Sequence, residues 1–435
     1  MAWDFSAEPE FQQKLDWIRE FVIQEIEPID LAFSDEDAVY DTTHPVHKEV
    51  IRPLQEQVKA QDLWACHLDP ELGGLGYGQV KLGLMNEILG RSSWAPSVFG
   101  CQAPDSGNAE ILAHYGTDAQ KERYLEPLLN GEIRSCYSMT EPQAGSDPQE
   151  FVCRAWKEGD EWVIDGEKWF SSNLRFASFI IVMAITDPDV PVYQGASMFL
   201  VPADTPGIDV IRHTGLGSEP LGQGGDHAYV KYDKVRVPAA NLLGGAGQAF
   251  KIAQTRLGGG RIHHAMRSIG IVQRCFDMMC ERVLSRTTQG GPLSKKQFVQ
   301  GYIADSWIEI LQFRLQVLHA AWVIDQRGGQ AARAEIAGVK VATPKILKDV
   351  VWRAMHTHGA LGVSNEMPFA RIWMQAPIMG IADGPTEVHK VTIARQALKD
   401  YEPSPGLFPS EHLPERVAAA RERFAHVLEL EVGNL

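Results

Sequence analysis

One aspartate stands at a junction where a carboxylate could act on a substrate. The stretch IADGPTEVHKVTIARQ, residues 381–396, places Asp383 directly before Gly384 and Pro385. Pro385 suits the first turn of a helix, because its missing N–H costs no hydrogen bond there. Asp383 is therefore expected two residues ahead of that helix. Its carboxylate has two alternative roles: a helix cap, worth about 1 kcal/mol, or a base that removes a proton from a substrate.

Two hydroxyl-rich segments could bind a flat heterocycle. CYSMTEPQAGSD covers residues 136–147, and WFSSN covers residues 169–173. Both lie beside strand-like runs and contain aromatic side chains. Hydroxyls and backbone N–H groups could bond the polar edge of a ring system while an aromatic side chain covers its face. Ordinary Ser and Thr turns at a strand edge are the alternative interpretation.

Other patterns with chemical meaning are incomplete. The glycine clusters, among them 258–260, form neither GxGxxG between a strand and a helix nor GxxxxGK[ST], and turns are predicted at most of them. No GxSxG segment indicates a serine nucleophile. No metal site is predicted, because the histidine pairs lack HExxH spacing and a nearby carboxylate ligand. These pairs are His44/His47, His263/His264 and His356/His358.

Composition limits the class of protein. A chain of 435 residues needs more than one substructure, and 44% apolar with 22% charged residues is an ordinary globular balance. The net charge of −15 argues against nucleic acid or an anionic membrane as the main partner. Six scattered cysteines without CxxC indicate reduced thiols. With neither a signal-peptide pattern nor a run of about 18 apolar residues, we expect a soluble, cytoplasmic protein without a membrane span.

The elements that must position these residues fall into three zones and a tail. Residues 1–135 are predicted as a helical domain, since Phe11, Leu15 and Ile18 share one helical face. Residues 136–243 are predicted as a middle antiparallel β-domain with turns at 158–160 and at Asp165-Gly166. Its later strands are expected at 179–186, 196–202 and 228–238.

The third zone returns to helix. Residues 244–400 are predicted as a helical domain with helices over 297–327, over 335–355 with a kink at Pro344, and over 385–399. The tail, residues 401–435, is predicted to add one helix over 413–430. The expected fold class is α+β and mainly α, in the order helical, β, helical.

Taken together, the motifs resemble the acyl-CoA dehydrogenase family of flavoproteins. They are TEPQAGSD at 140–147, WFSS at 169–172, a helix ending in Arg286-Thr287-Thr288, and HGALG at 358–362. The resemblance runs from the N-terminal helices to about Lys399 and leaves out the tail. It implies the three-domain acyl-CoA dehydrogenase fold, a non-covalently bound FAD and an acyl-CoA substrate.

The resemblance also implies roles for individual residues. The positions implied beside the flavin are Tyr137, Met139, Thr140, Ser146, Phe170, Ser171, Ser172, Pro385 and Glu387. The positions implied for the FAD of a neighbouring subunit are Arg286, Thr288, Gln297, His356, Gly359 and Ala360. Departures from the common family pattern occur at 356, 360, 385 and 387, where many members have Gln-x-x-Gly-Gly and Gly-Thr-x-Gln.

Asp383 falls on the position of the family's catalytic base, and Arg261 matches an arginine near the active site. Ser146 and Arg261 are implied in acyl-CoA binding. Many members carry glutamate at the base, so Asp383 is one methylene, about 1.5 Å, shorter. The implied reaction is α,β-dehydrogenation of an acyl-CoA: Asp383 removes the α-proton and flavin N5 takes the β-hydride, as in fatty acid β-oxidation and lipid metabolism. An electron-transfer flavoprotein is the implied acceptor, and a homo-oligomer, dimer or homotetramer, is implied because Arg286 would serve a partner's FAD.

Three alternatives remain open because one fold hosts several activities. A nitroalkane oxidase-like enzyme also uses an aspartate base but needs no CoA. An acyl-CoA oxidase-like enzyme would pass the electrons to oxygen. A scaffold would bind FAD without turnover.

Overall fold

The computed structural model describes residues 5–33, 36–217 and 225–427. The chain divides into two units, Met1–Thr392 and Ile393–Leu435. In the first unit, helices precede and follow a central sheet, which confirms the predicted order helical, β, helical. Among the described residues, no helix is long and apolar enough to cross a bilayer.

The N-terminal helices pack on an apolar core that contains the predicted face of the first helix. Phe11, Leu15 and Ile18 are all buried in it. After the break at Gly116, Thr117 and Gln120 form a capping box that starts the next helix. The helices are α1 (Pro9–Phe21), α2 (Glu27–Ala32), α3 (Arg52–Ala60), α4 (Gly78–Leu89), α5 (Ala95–Val98), α6 (Asp105–Tyr115), α7 (Asp118–Gln120) and α8 (Glu126–Leu129).

The middle sheet is mostly antiparallel, as predicted, but β4 runs parallel to β1 and β2. Its order is β6-β7-β3-β1-β4-β5-β8, and β2 pairs with β3 and β4. The short helix α9 (Val192–Gly195) precedes β5. The strands are β1 (Ser135–Ser138), β2 (Arg154–Glu158), β3 (Glu161–Ser172), β4 (Phe179–Ile185), β5 (Ala196–Pro202), β6 (Ile208–Thr214), β7 (His227–Pro238) and β8 (Leu242–Leu243).

The C-terminal helices share a core with α4, and α10 runs past both the N-terminal helices and the sheet. The helix predicted over 297–327 has those bounds in the structure. The elements are α10 (Ala249–Ser285), β9 (Thr287–Thr288), β10 (Gly291–Pro292), α11 (Gln297–Arg327), α12 (Arg333–His358), α13 (Phe369–Ile381), α14 (Thr386–Ala397) and α15 (Leu413–Arg423).

The turn predicted at Asp165-Gly166 is wrong. Strand β3 continues through these residues, with a register irregularity against β7 between Ile164 and Gly166. Gly166 has φ +145°, and a Cβ there would lie 2.7 Å from the Cα of Cys153. The glycine therefore marks a close approach of two backbones within a sheet, where a bulge is tolerated.

The glycine cluster 258–260 was also misjudged, since it lies inside α10 and not in a turn. Glycine weakens a helix interior by about 1 kcal/mol relative to alanine, and packing of α10 on its neighbours overrides that preference. Helix α12 likewise continues through Pro344. In the tail, α15 ends at Arg423, and residues 428–430 of the predicted helix lie outside the described residues.

Candidate active site

Asp383 lies in the loop between α13 and α14, in a conformation that most residues avoid. Its φ is +55°, in the left-handed region, and Gly384 follows with φ +103°. Aspartate tolerates this region better than most residues, but the conformation still costs free energy. Among the described residues, no backbone N–H of α14 donates to the Asp383 carboxylate. The geometry therefore does not support the helix-cap role.

Side chains from three helices hold the backbone of this loop and of the end of α13. Arg261 Nε on α10 donates to the Asp383 carbonyl at 2.9 Å, and His389 Nε2 on α14 lies 3.3 Å from the same oxygen. Lys340 Nζ on α12 donates to the Met379 carbonyl. Arg261, predicted as a catalytic and substrate-binding residue, thus uses its Nε to position Asp383.

The side chain of Asp383 is 20% exposed and faces α10. Its Oδ2 lies 3.9 Å from His264 Nε2. A Cβ on Gly260 would lie only 3.0 Å from the same oxygen, so glycine gives the carboxylate room beside the helix. We call Asp383, Arg261, His264, Lys340 and His389 the acid cluster.

Burial controls the charges of the acid cluster. It lowers the pKa of His264 to about 4 and that of His389 to about 4, so both rings are neutral near pH 7. Burial also lowers the pKa of Lys340 to about 8 and that of Arg261, and in both cases the Asp383 carboxylate opposes the shift. Near pH 7 the carboxylate therefore has two cations and two neutral imidazoles around it.

The two hydroxyl-rich segments lie side by side. Tyr137 on β1 pairs with Ser172 on β3, and Trp169 N donates to the Thr140 carbonyl at 2.8 Å. A buried ion pair holds this junction: Lys168 Nζ lies 2.8 Å from Glu141 Oε1, and these side chains are 0% and 1% exposed. Lys168 also donates to the Met139 carbonyl at 2.8 Å. Sequence reasoning did not identify this pair, because its partners are 27 residues apart.

The end of β3 presents an aromatic face and polar groups. Phe170 is 39% exposed, with φ +53°, and stacks on Trp169 with ring centroids 5.0 Å apart. Ser172 Oγ and His227 Nδ1 are 2.7 Å apart. We call Thr140, Trp169, Phe170, Ser172 and His227 the strand-end cluster.

The next residue, Asn173, is 1% exposed, and its amide nitrogen and oxygen have no partner among the described residues. An unpaired buried amide is costly. An exposed ring beside hydroxyl and amide groups fits the face and polar edge of a flavin.

Tyr137 connects the two clusters. It pairs with Ser172 across the strands, while burial raises its pKa to about 12, with Arg256 opposing and the Asp383 charge contributing. The Arg256 guanidinium lies 3.9 Å from the Tyr137 ring centroid. The charge of Asp383 therefore acts on Tyr137, whose strand neighbour Ser172 belongs to the strand-end cluster.

The remaining predicted residues occupy different environments. Ser171 is fully buried and its hydroxyl bonds Ser138 at 2.8 Å, so its side chain faces the sheet interior. Ser146 is exposed, Pro385 is half-buried and Glu387 is exposed. Arg286 and Gly359 are neighbours, since a Cβ on Gly359 would lie 3.7 Å from Arg286 Nη1. The other exposed positions near the ends of α10, α11 and α12 are Thr288, Gln297, His356 and Ala360.

Several residues of the site were missed from the sequence. His264 appeared only as half of a histidine pair, and the described residues contain no group of three or more His, Cys, Asp or Glu side chains that could hold a metal. Its neighbour His263 points elsewhere and is 8% exposed. Lys340 and His389 carried no local signal. Glu110, whose pKa burial raises to about 8, lies near Gly259 and was also missed.

Comparisons with known proteins agree with this geometry. Family models for the N-terminal, middle and C-terminal domains of acyl-CoA dehydrogenases match residues 8–132, 136–232 and 247–398. The Mycobacterium tuberculosis protein named "Probable acyl-CoA dehydrogenase FadE2" is 42% identical over 80% of this chain and 86% of its own length. Mouse acyl-CoA dehydrogenase family member 10 is 40% identical over 90% of this chain, but only 37% of its own length.

The chain thus spans less than half of some curated relatives that it matches. Among solved structures, one from Mycobacterium abscessus assigned to the same family is 40% identical, with a TM-score of 0.83 over 91% of this chain and 100% of the other. Three consecutive domain matches and relatives at 40% identity lead to one conclusion: the chain belongs to the acyl-CoA dehydrogenase family of oxidoreductases.

Proposed function

We propose that the protein is an FAD-dependent acyl-CoA dehydrogenase in which Asp383 is the catalytic base. The observation that carries the proposal is the Asp383 loop. Its carbonyl is fixed by Arg261 and His389, while its carboxylate caps no helix among the described residues and turns toward α10. A strained acid held in this way is typical of a functional position.

The reaction removes two hydrogens from an acyl thioester and leaves a double bond between Cα and Cβ. The Asp383 carboxylate takes the α-proton, and the C–H electron pair forms the new double bond as hydride leaves Cβ. FAD, when bound, supplies the hydride acceptor at N5. Backbone N–H groups near Asp383 donate to the thioester oxygen as negative charge develops there, an interaction worth about 3–4 kcal/mol in oxyanion holes.

The strand-end cluster is the proposed place for the flavin ring. Phe170 would stack on the ring, and the hydroxyls of Thr140 and Ser172 would hold it by hydrogen bonds. The unpaired amide of Asn173 lies next in sequence and fits the polar edge of the ring. Tyr137, Met139 and the Ser171 backbone would also hold the flavin, and Ser146 would contact both flavin and acyl-CoA.

More distant residues have proposed roles toward a second copy of the chain. The exposed positions Arg286, Thr288, Gln297, His356 and the segment 359–360 are proposed to bind the FAD of a partner subunit in a homodimer or homotetramer. Pro385 and Glu387 begin α14 beside the base and are proposed to contact the cofactor. An electron-transfer flavoprotein is the proposed acceptor, and fatty acid β-oxidation is the proposed context.

The test is to mix the purified, FAD-loaded protein with a panel of acyl-CoAs without oxygen. We expect at least one thioester to bleach the flavin absorbance. Asp383→Asn should abolish bleaching while FAD stays bound, because the amide cannot accept the proton. Asp209→Asn, at an exposed position on β6, is the matched control and should behave as wild type.

Other outcomes would replace the proposal. Reduction by nitroalkanes alone would indicate a nitroalkane oxidase-like enzyme. Rapid reoxidation of the reduced flavin by air would indicate an acyl-CoA oxidase-like enzyme. A protein that holds FAD but is reduced by neither class of compound would be a scaffold.

A further inference from the structure

The carboxylate of Asp383 has one oxygen whose surroundings are defined by α10. Oδ2 lies 3.9 Å from His264 Nε2 and is the oxygen that a Cβ on Gly260 would approach to 3.0 Å. Residues 260 and 264 are four apart, so they are neighbours on the same face of the helix. The short acid therefore lies along α10, with Oδ2 between the glycine and the imidazole.

The glycine is what permits this approach. Any larger residue at 260 would push the carboxylate away from the helix, and glycine is a poor helix former that is seldom kept in a helix interior without a packing reason. Gly260 thus compensates for the acid's short reach on the side of α10. It also brings Oδ2 toward the ring of His264.

The other polar groups around Asp383 already contact backbone carbonyls. Arg261 and His389 contact the Asp383 carbonyl, and Lys340 donates to the Met379 carbonyl. His264 is the basic side chain that approaches the carboxylate itself. Its ring is neutral near pH 7, since burial disfavours the imidazolium, so it has one N–H to donate.

We propose that His264 is a positioning residue for Asp383: its Nε2–H donates to Oδ2 and leaves Oδ1 to take the proton from the substrate. This inference rests on the proposed function of Asp383. The separation of 3.9 Å shortens to a hydrogen bond when the thioester displaces water, as catalytic hydrogen bonds commonly tighten in the substrate complex. His264 then determines which oxygen is the base.

The test separates proton removal from hydride transfer. A 3-thiaacyl-CoA has an acidic α-carbon but sulfur at the β-position, so it can lose the α-proton and cannot give a hydride. Its enolate beside a flavin produces a long-wavelength absorption band. The intensity of that band measures the deprotonated fraction, and a titration gives the ligand Kd in the same experiment.

Three substitutions place the donor differently. His264→Gln keeps an amide N–H near the position of Nε2, His264→Asn moves it to the position of Nδ1, and His264→Leu removes it. We expect wild type and His264→Gln to show the band. A donor to a carboxylate stabilises it more than the protonated acid, so His264→Asn and His264→Leu should raise the deprotonation equilibrium of the ligand about 10- to 100-fold, the range of one hydrogen bond to a charged group. The band should nevertheless form more slowly, because Oδ1 is no longer oriented toward the α-carbon, and Kd should change by only a few fold.

Each other outcome overturns the assignment. An unchanged band in His264→Leu would show that Asp383 needs no donor from His264, while leaving the proposed function intact. An equal change in His264→Gln and His264→Leu, with FAD retained and Tm unchanged, would contradict the Nε2 donor. A wild-type enzyme that binds the ligand without any band would contradict Asp383 as base, and therefore also the role of His264.

Discussion

The acid cluster and the strand-end cluster are built by different means. In the acid cluster, three helices bring charged and polar groups to one short loop, and the Asp383 carbonyl has two partners from the same chain. In the strand-end cluster, the paired strands β3 and β7 carry most of the residues, and the ring of Phe170 is 39% exposed. The acid cluster is held together by its own side chains, whereas the strand-end cluster has an exposed aromatic and polar surface.

The difference agrees with the roles proposed for the two clusters. A base needs an orientation that is fixed before the substrate arrives, because proton transfer depends strongly on distance. A surface for a large planar group has to stay open to receive it. We therefore expect substitutions in the strand-end cluster to act on folding and cofactor retention, and substitutions in the acid cluster to act on the rate of flavin reduction.

The largest expected effect comes from the ion pair beneath the strand-end cluster. Lys168→Met leaves the Glu141 carboxylate buried without its cation, which costs about 3–5 kcal/mol of unfolding free energy. Loss of the Lys168 bond to the Met139 carbonyl should also weaken FAD retention. Denaturant unfolding and the flavin content of the purified protein measure both effects.

The control is an ion pair on the surface of the same sheet. Arg236→Met removes pairs with Glu158 and Glu161 in which all side chains are about half exposed, and water screens such pairs so that they contribute little to stability. Equal destabilisation by Lys168→Met and Arg236→Met would refute the distinction between the buried and the exposed ion pairs.

The second prediction concerns Arg261 in the acid cluster. Arg261→Met removes the donor to the Asp383 carbonyl, and we expect flavin reduction to slow about 10- to 100-fold, as for loss of one charged hydrogen bond. FAD retention should not change. Arg261→Lys should recover only part of the rate, because the ammonium lacks the fixed guanidinium geometry. Stopped-flow reduction measures the rate, and a loss of FAD in Arg261→Met would remove the contrast between the clusters.

The third prediction uses pH. The unfolded chain protonates a histidine near 6.5, whereas folded His389 has a pKa of about 4. As the pH falls from 6.5 to 4, the unfolded state binds more protons than the folded state. The free energy of unfolding should therefore fall by up to about 1.4 kcal/mol per pH unit because of this residue. His389→Gln should make the unfolding free energy less dependent on pH between 6.5 and 4. An unaltered slope would show that His389 does not contribute.

The smallest expected effect separates stability from activity. Gly260→Ala removes a helix-interior glycine, which should stabilise the protein by up to about 1 kcal/mol. The added Cβ meets Asp383 Oδ2 at 3.0 Å, so the carboxylate shifts and flavin reduction should slow about tenfold. Gly301→Ala in α11 is the control, because a Cβ there meets nothing within 4 Å. Gly301→Ala should stabilise the protein without slowing flavin reduction. A Gly260→Ala enzyme that reduces its flavin at the wild-type rate would contradict the close approach of residue 260 to Asp383.

Local patterns predicted the elements well where the pattern was long. Helix 297–327 and the strand at 196–202 were predicted with the bounds that the structure shows, because an extended apolar period needs no distant partner to be recognised. Two short glycine signals were misleading. Gly166 and the cluster 258–260 have the composition of turns, yet a bulge and a helix interior contain them, since the approach of another backbone or side chain decides their conformation.

The site shows the same division. The sequence singled out Asp383, Arg261 and the two hydroxyl-rich segments, and the structure brings the segments together through Tyr137 and Ser172. Sequence reasoning did not identify His264, Lys340 or the Glu141–Lys168 pair. Their roles depend on contacts between residues distant in sequence, and one histidine or lysine on a helix face resembles any other.

The sequence by itself determined the order of helical and β domains, the family and the acid at residue 383, because local periodicity and short contiguous motifs specify these features. Only the tertiary structure decided how that acid is held. Burial makes His264 and His389 neutral, and the crossing of α10 past the loop brings Gly260 and His264 to the carboxylate. Desolvation and close approach arise only when distant segments pack.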